Sequence, residues 1–259
     1  MQPTSLVTRT ELAVAALSGT IVDGGDHLVV STPTQPSFYW GNFVVAPAPR
    51  DAAEVAHWVA RARAAAAPGV AHVAVVFDGA LDALSAEVIA AFDAEGLRRE
   101  ELIAMTSTTE VHAPTTRFEV RPFAGDDDWA ALRELSLLCD DQPGLAVYLD
   151  GWIPSRRTCI AAGQARWWGA FDGGRLIASA GVVPLGAVAR YQDVQTHPDA
   201  RRQGAASAVL AAIAADERAR GATTLVIVVA ADNSPARAAY RRLGFVDGDR
   251  AVQALRRPG

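Results

Sequence analysis

Two stretches of this sequence carry residue types at spacings that suit a chemical task. The first is His197-Pro198-Asp199-Ala200-Arg201-Arg202-Gln203-Gly204-Ala205-Ala206. It reads as a strand end, a turn and the start of a long helix whose first residues have almost no side chain. The first four N–H groups of a helix lack an intrahelical acceptor, and the helix dipole adds partial positive charge there. Gly204, Ala205 and Ala206 leave those groups open, with Arg201 and Arg202 beside them, a combination suited to an anion such as a phosphate. The same residues also suit a plain strand-to-helix junction. The second stretch is Asn233-x-x-Ala236-x-x-x-Tyr240-x-x-x-Gly244-Phe245. Positions 233, 236 and 240 fall about one turn apart and share a helix face. From that face the Tyr240 hydroxyl can donate a proton to a leaving group within hydrogen-bond reach. Alternatively, Tyr240 is an interior tyrosine whose hydroxyl serves the fold.

The surrounding pattern supplies elements to hold both stretches. Residues 117–121 alternate as a strand, and Gly125-Asp126-Asp127-Asp128 opens a helix reaching about Leu138. A loop over 139–144 leads to a second helix. Strands over 167–171 and 176–183 flank Asp172-Gly173-Gly174 as a hairpin. A further strand covers 190–196. The helix over 204–220 has Ala206, Val209, Leu210 and Ile213 on its apolar face. The run 223–229 is apolar throughout, as in a strand buried on both faces. A helix over 234–243 stops at Gly244, and a last strand region covers 245–255. In the first block, strands are expected at 27–31, 38–46, 72–77 and 101–105, with helices at 51–66 and 84–94. The polar stretch 106–116, with a proline inside it, reads as a linker.

A pseudo-repeat relates the two blocks. Shifting the first by 152 positions places Tyr39 on Tyr191, Arg50 on Arg202 and 72–77 on 224–229. After a four-residue length difference, Ala90-Ala91-Phe92-x-x-x-Gly96-Leu97 matches Ala238-Ala239-Tyr240-x-x-x-Gly244-Phe245.

With both motifs in place, residues from about 117 to 259 resemble the GNAT superfamily of N-acetyltransferases. The family's loop, Arg/Gln-x-x-Gly-x-Gly/Ala, is met by Arg201 to Ala206, with Ala206 in place of the last glycine. The family's Asn-x-x-Ala-x-x-x-Tyr-x-x-x-Gly-Phe signature is met at each fixed position. The resemblance implies an α/β (α+β) fold of GNAT type, a mixed central twisted sheet flanked by helices. A smaller degenerate GNAT-like domain precedes it. The domains expected are 1–115, not binding coenzyme A, and 116–259, catalytic. It implies acetyl-coenzyme A (acetyl-CoA) as co-substrate, its pyrophosphate on the amides of Gln203, Gly204, Ala205, Ala206 and Ser207, beside Arg201 and Arg202. It implies a splayed strand at Val194, Gln195 and Thr196 pairing with the pantetheine arm. Asn233 and Ala236 would lie near that arm, and Tyr240 would protonate the coenzyme A thiolate.

Direct attack by a neutral amine also needs a base or a water chain. Asp193 is the candidate, against a role as a polar strand-end residue, with Tyr191 and Gln192 as relays. Other clusters are read two ways. Phe38-Tyr39-Trp40-Gly41-Asn42 lines an acceptor cleft or packs in a core; Trp152, Trp167 and Trp168 border the acceptor or pack. Asp140 and Asp141 attract a cationic amine or form a solvated turn. Arg237, Arg241 and Arg242 form a solvated face, or one reaches the adenosine 3′-phosphate. In the first block, Ala52 and Glu54 stand where Gly204 and Ala206 stand, and Phe92 replaces Tyr240. A carboxylate at a phosphate site repels the ligand, and Pro47 and Pro49 remove two backbone donors.

Composition bounds the alternatives. The chain has 259 residues, 50% hydrophobic and 20% charged, with a net charge of -5. That excludes a disordered tail, a collagen and a coiled coil, and offers no basic footprint for nucleic acid. All 24 basic residues are arginine, which excludes a lysine Schiff base and a P-loop lysine. Cys139 and Cys159 form no C-x-x-C pair, and the histidines are scattered, so no metal site is expected. The apolar run 12–17 is short for a signal peptide, and no run approaches the ~20 residues of a membrane helix. A cytoplasmic protein without membrane contact is expected. The acceptor would be a small-molecule or peptide amine, and a homodimer stays open. The alternative function is a non-catalytic acyl-CoA-binding sensor. A dinucleotide-dependent oxidoreductase is excluded because no G-x-G-x-x-G fingerprint is present.

Overall fold

The computed structural model of the protein describes residues 1–112 and 115–258. The first elements are α1 (Leu6–Ala15), β1 (Thr20–Asp23), β2 (Leu28–Ser31), β3 (Phe43–Pro47) and α2 (Ala52–Ala65). Next come β4 (Val73–Asp78), α3 (Ala86–Ala94), β5 (Arg98–Ser107) and β6 (Glu119–Pro122). Then follow α4 (Asp126–Cys139), α5 (Leu145–Ala161), β7 (Arg166–Asp172), β8 (Arg175–Leu185) and β9 (Val188–Thr196). The chain closes with α6 (Ala205–Ala219), β10 (Thr224–Ala230), α7 (Ser234–Arg242) and β11 (Val246–Arg256).

These elements form two compact units. One contains 1–104, 228–234 and the segment from Asp247 onward; the other contains 105–227 and 235–246. The division crosses the 115/116 boundary read from the sequence because β11 hydrogen-bonds to β4, with Val252 opposite Phe77 and Ala254 opposite Val75. Of the expected linker, Thr106 and Ser107 continue β5, and residues 113 and 114 lie outside the described residues.

In the first unit the strand order is β1-β2-β3-β4-β11-β5. β3 and β4 are parallel with α2 as the crossover, whereas β1–β2, β2–β3 and β4–β11 are antiparallel. Val44, Val55, Trp58, Phe77, Phe92 and Val252 share its core. In the second unit the order is β10-β9-β8-β7-β6. β6 to β9 form an antiparallel meander, and β9 and β10 are parallel around α6. Trp129, Leu132, Leu149, Trp152, Trp167 and Phe171 pack over that meander.

Helix ends follow their local chemistry. Ser5, Asp51 and Ser85 each accept a backbone N–H of the first turn of α1, α2 and α3, which satisfies donors a helix otherwise leaves open. At α4 the cap is Gly125, and Asp128 in the first turn accepts the Ala124 N–H at 2.7 Å and pairs with Arg121. Arg121 beside it, together with these hydrogen bonds, holds the Asp128 carboxyl below the usual range against the opposing effect of burial.

The repeat is visible as geometry. Both units contain strand–helix–strand–helix with a parallel pair, and both second helices end alike. In α7, Phe245 N–H and Gly244 N–H donate to the carbonyls of Tyr240 and Arg241, and Gly244 has φ +89°. In α3, Leu97 and Gly96 donate to Phe92 and Asp93, with Gly96 at φ +66°. This is the Schellman termination, in which glycine adopts the left-handed conformation and the next residue packs back on the helix. Its geometry fixes the Tyr-x-x-x-Gly-Phe spacing.

Three readings of the sequence are corrected. Residues 38–46 are not one strand: Tyr39–Gly41 is a 3-10 turn and β3 starts at Phe43. Asn42 causes this, accepting the Thr32 N–H at 2.9 Å and donating to the Gln35 and Phe38 carbonyls at 3.0 Å each. The Tyr39–Tyr191 match therefore pairs a turn residue with one inside β9. On α6 it is Ala205, not Ala206, that is buried with Val209, Leu210 and Ile213. α1 and β1 extend the first unit beyond the elements expected.

The Phe92 ring is fully buried and meets Phe77 edge-on at 5.4 Å. Phe92→Ala is expected to cost about 3–5 kcal/mol, measurable by urea denaturation of the full chain.

Candidate active site

The chemistry-bearing residues of the second unit gather where β9 leaves its neighbour. β9 pairs with β10 over Val188, Ala189 and Arg190, opposite Thr224, Leu225 and Val226. It pairs with β8 through to Thr196, which faces Ala178. The register with β8 shifts between Ser179 and Gly181, and within that bulge Asp193 has φ +46°. Such a bulge bends a strand and re-aims its side chains. The stretch carrying Asp193, Val194, Gln195 and Thr196 is thus held from the β8 side. Behind it, the Tyr191 carbonyl accepts the Arg190 guanidinium and, at 2.9 Å, the Gln192 amide.

After Thr196 the chain turns through Pro198–Ala200. His197 holds this turn, accepting the Asp199 N–H at 3.2 Å through Nδ1 and meeting Arg175 at 2.6 Å through Nε2. Gln203 ties back to the Asp199 carbonyl at 2.8 Å. Arg202 and Gly204 both have positive φ, +64° and +85°, and the helix starts at Ala205 with no side-chain cap. The first recorded hydrogen bond at this end is Ala208 N–H to the Gly204 carbonyl, 2.9 Å. Among the described residues no acceptor takes the N–H groups of Gln203, Gly204, Ala205, Ala206 or Ser207. The expected cluster of open amides is therefore present, with Arg201 and Arg202 exposed beside it.

Asn233 sits exposed immediately before α7, its N–H on the Ala230 carbonyl at 3.0 Å. Ala236 and Tyr240 lie one turn apart on α7. The Tyr240 ring meets Phe245 at 6.4 Å, and Phe245 meets Tyr191 at 6.0 Å, so aromatic contacts tie α7 to β9. Burial pushes the Tyr240 phenol up to about 12, opposed by the nearby Arg190 charge. Its hydroxyl makes no hydrogen bond among the described residues. Tyr191 is different: fully buried, it donates to the Leu210 carbonyl at 2.8 Å. Its expected part in a water relay is corrected, since that hydroxyl is committed to the core.

Beside the bulge lies a cavity of about 300 Å³. The end of α4 contributes Ser136, Cys139 and the adjoining Asp140; α5 contributes Leu145, Tyr148, Leu149 and Trp152; β9 contributes Asp193, Val194 and Gln195. Burial raises the Cys139 thiol, with Arg201 pulling the other way, and the thiol donates to the Thr196 carbonyl at 3.4 Å. Of the tryptophans considered, Trp152 lines this cavity, whereas Trp167 and Trp168 do not. Asp140 lines it while also accepting the Gln142 N–H and side-chain amide; Asp141 does not line it. The 38–42 segment packs inside its own unit, Tyr39 against His72 and Trp40 against Phe43. The α5 lining recurs at i, i+3, i+4 and i+7, a spacing the sequence shows but that also describes any buried helix face. That ambiguity hid Leu145, Tyr148 and Leu149.

The corresponding place in the first unit is closed. β3 pairs with β4 through Ala46 and Pro47, right to the strand end where β9 has already left β10. The Asp51 carboxylate accepts the Glu54 N–H at 2.9 Å, and Glu54 accepts the Arg50 N–H at 2.8 Å and the Arg50 guanidinium. These hydrogen bonds hold the Glu54 carboxyl below its ordinary value.

Among the described residues no group of three histidine, cysteine or acidic side chains could hold a metal ion, and no helix is long and apolar enough to cross a membrane.

Comparison with known proteins gives a consistent picture. Residues 129–245 match the model of the acetyltransferase (GNAT) family. No curated protein matches the sequence. Among solved structures, a GCN5-related N-acetyltransferase from Kribbella flavida superposes with a TM-score of 0.66 at 17% identity, over 99% of this chain and 97% of that one. A functionally unknown conserved protein from Staphylococcus epidermidis gives 0.75 at 10% identity, over 94% and 96%. A tandem GNAT protein from the clavulanic acid biosynthesis pathway gives 0.54 at 18% identity, over 80% and 69%. At such identities the likeness speaks for the fold, which these structures share over 80–99% of this chain. Residues 129–245 thus match the acetyltransferase (GNAT) family, and the N-terminal half also has a fold similar to that of these neighbours.

Proposed function

We propose that the protein is an N-acetyltransferase that moves an acetyl group from acetyl-CoA to a primary amine of a small molecule or peptide. The observation that supports this best is the presence in one unit of the amides of residues 203–207 and of a stretch of β9 that β10 no longer covers beyond Arg190. Open amides at a helix start suit a pyrophosphate, and a strand leaving its neighbour suits an amide-bearing arm. Acetyl-CoA would supply an activated thioester, and attack by the amine nitrogen would form the C–N bond as the C–S bond breaks.

The residues divide the remaining work. Gln203, Gly204, Ala205, Ala206 and Ser207 would hold the pyrophosphate through the backbone, with Arg201 and Arg202 adding charge. Val194, Gln195 and Thr196 would pair with the pantetheine arm, with Asn233 and Ala236 near it. Tyr240 would protonate the departing sulfur. With its pKa near 12 it carries its proton at every working pH and serves first as a hydrogen-bond donor to the thiolate. Asp193, exposed on the bulge and lining the cavity, would take the ammonium proton directly or through water. The proton lost by the amine and the one gained by sulfur balance, so coenzyme A leaves as the thiol.

The first 115 residues are proposed as a degenerate half that does not bind coenzyme A. Its Glu54 carboxylate already occupies hydrogen-bonding capacity at the start of α2, and β3 has no unpaired run before that helix.

Two experiments test this reading. Tyr240→Phe should lower kcat by about 10²–10⁴-fold with little change in coenzyme A affinity. The sign of the pKa shift sets the pH behaviour: the donor form persists until pH approaches 12. Wild type and Tyr240→Phe should therefore share the same pH profile from 6 to 10 apart from scale; an alkaline limb near pH 9 that vanishes in the variant would contradict the assignment. Separately, Ala206→Glu transplants the carboxylate of Glu54 beside Arg202, the counterpart of Arg50. Calorimetry should show coenzyme A affinity falling by about 100-fold, while Glu54→Ala should leave one site per chain. Tight coenzyme A binding with no turnover on any amine would favour the sensor.

A further inference from the structure

β9 parts from β10 at a carbonyl that side chains fill. Arg190, opposite Val226, is the last residue of β9 paired with β10. The next carbonyl, that of Tyr191, accepts the Arg190 guanidinium through Nη1 and the Gln192 side-chain amide at 2.9 Å. A carbonyl oxygen has two lone pairs, so these donors use its capacity and no N–H of an adjoining strand is required. The Tyr191 ring is anchored separately, its hydroxyl donating to the Leu210 carbonyl at 2.8 Å. Two residues beyond Tyr191, Asp193 takes its positive φ inside the register shift with β8. Arg190 itself is only 6% exposed. An arginine is rarely buried so far, because taking its charge out of water is costly unless hydrogen bonds replace the lost hydration. Its charge also favours the ionised form of the Tyr240 phenol against the effect of burial. The guanidinium therefore lies near the hydroxyl proposed to protonate the departing sulfur.

We propose that Arg190 is a positioning residue for the coenzyme arm: together with Gln192 it fills the Tyr191 carbonyl, ends the β9–β10 ladder there, and keeps the following stretch of β9 uncovered on the β10 side. This deepens the acetyltransferase reading and rests on it. Arg190 acts through the backbone of β9 and not on the reacting atoms. Without the guanidinium, the Tyr191 carbonyl regains a free lone pair, and a main-chain acceptor in the interior seeks another donor. The strand then closes towards β10 and the place for the arm narrows. The pyrophosphate site is built separately, by the His197 turn and the uncapped start of α6, and stays as it is.

The test compares two ligands of the full chain by calorimetry. One is coenzyme A; the other is 3′-phosphoadenosine 5′-diphosphate, which keeps the pyrophosphate and lacks the arm. Arg190→Met retains an unbranched side chain and removes every donor. It should weaken coenzyme A by about 10- to 100-fold, the scale of one lost charge-assisted hydrogen bond, and leave the nucleotide unchanged. Arg190→Lys, which restores a charged donor, should recover most of the loss. Gln192→Met removes the second donor without touching the buried charge. It should show the same selective loss, smaller in size, and it carries the test if Arg190→Met does not fold. Equal weakening of both ligands would assign Arg190 to general support of the fold and overturn the proposal. So would an unchanged coenzyme A affinity in Arg190→Met, or in Gln192→Met where Arg190→Met is unfolded. In each of these cases, wild-type turnover on an amine would leave the acetyltransferase reading standing. Wild-type protein that binds neither ligand would sink both.

Discussion

A parallel ladder that stops early is the constraint on which the candidate site depends. A backbone strand can satisfy its N–H and C=O groups with a neighbour, with water or with a ligand, and burying them unpaired is costly. β9 has β10 beside it for three residues and then parts from it. The groups that hold the parted segment in shape are local: the bulge opposite β8, the Arg190 guanidinium on the Tyr191 carbonyl, and the Tyr191 phenol on Leu210. Aromatic contacts through Phe245 seat α7 beside this strand and so set where Tyr240 stands. The His197 turn then delivers the chain to an uncapped helix start. The cluster of open amides follows from that sequence of constraints.

The two halves show how one arrangement can be left open or closed with few changes. In the first, the ladder between β3 and β4 continues to its end, and internal carboxylates serve as the anions at the helix start. In the second, the same locations are left open by Gly204 and two alanines. Both halves retain the Schellman ending of the following helix, because that ending stabilises the fold whatever the site does. Phe92 and Tyr240 stand at matching places, one in a dry core beside Phe77 and the other half-buried with its hydroxyl unengaged.

Much of this was legible in the sequence, and the reason differs by element. The open helix start could be read because small residues after two arginines are unusual and glycine marks a positive φ. The last helix could be read because its termination demands a fixed spacing from Tyr240 to Gly244 and Phe245. β10 could be read from its unbroken apolar run. What could not be read depends on tertiary register. Nothing in Val188 to Thr196 says that pairing with β10 ends at Arg190, or that Asp193 sits in a bulge. The Asn42 side chain that converts part of an expected strand into a turn works through Thr32, Gln35 and Phe38, contacts that only the fold supplies. Tyr191, an apparent polar relay, is a core residue, since a phenol can hide its hydroxyl on a backbone carbonyl.

The placement of β11 beside β4 has a consequence for dissecting the molecule. A fragment ending in the 106–116 stretch would lack the strand that covers β4, leaving a row of unmet main-chain groups next to Val75 and Phe77. Exposed edges of that kind recruit other chains. The halves are thus not modular pieces that can be expressed separately, and splitting the gene at its apparent seam would yield an aggregation-prone product on one side.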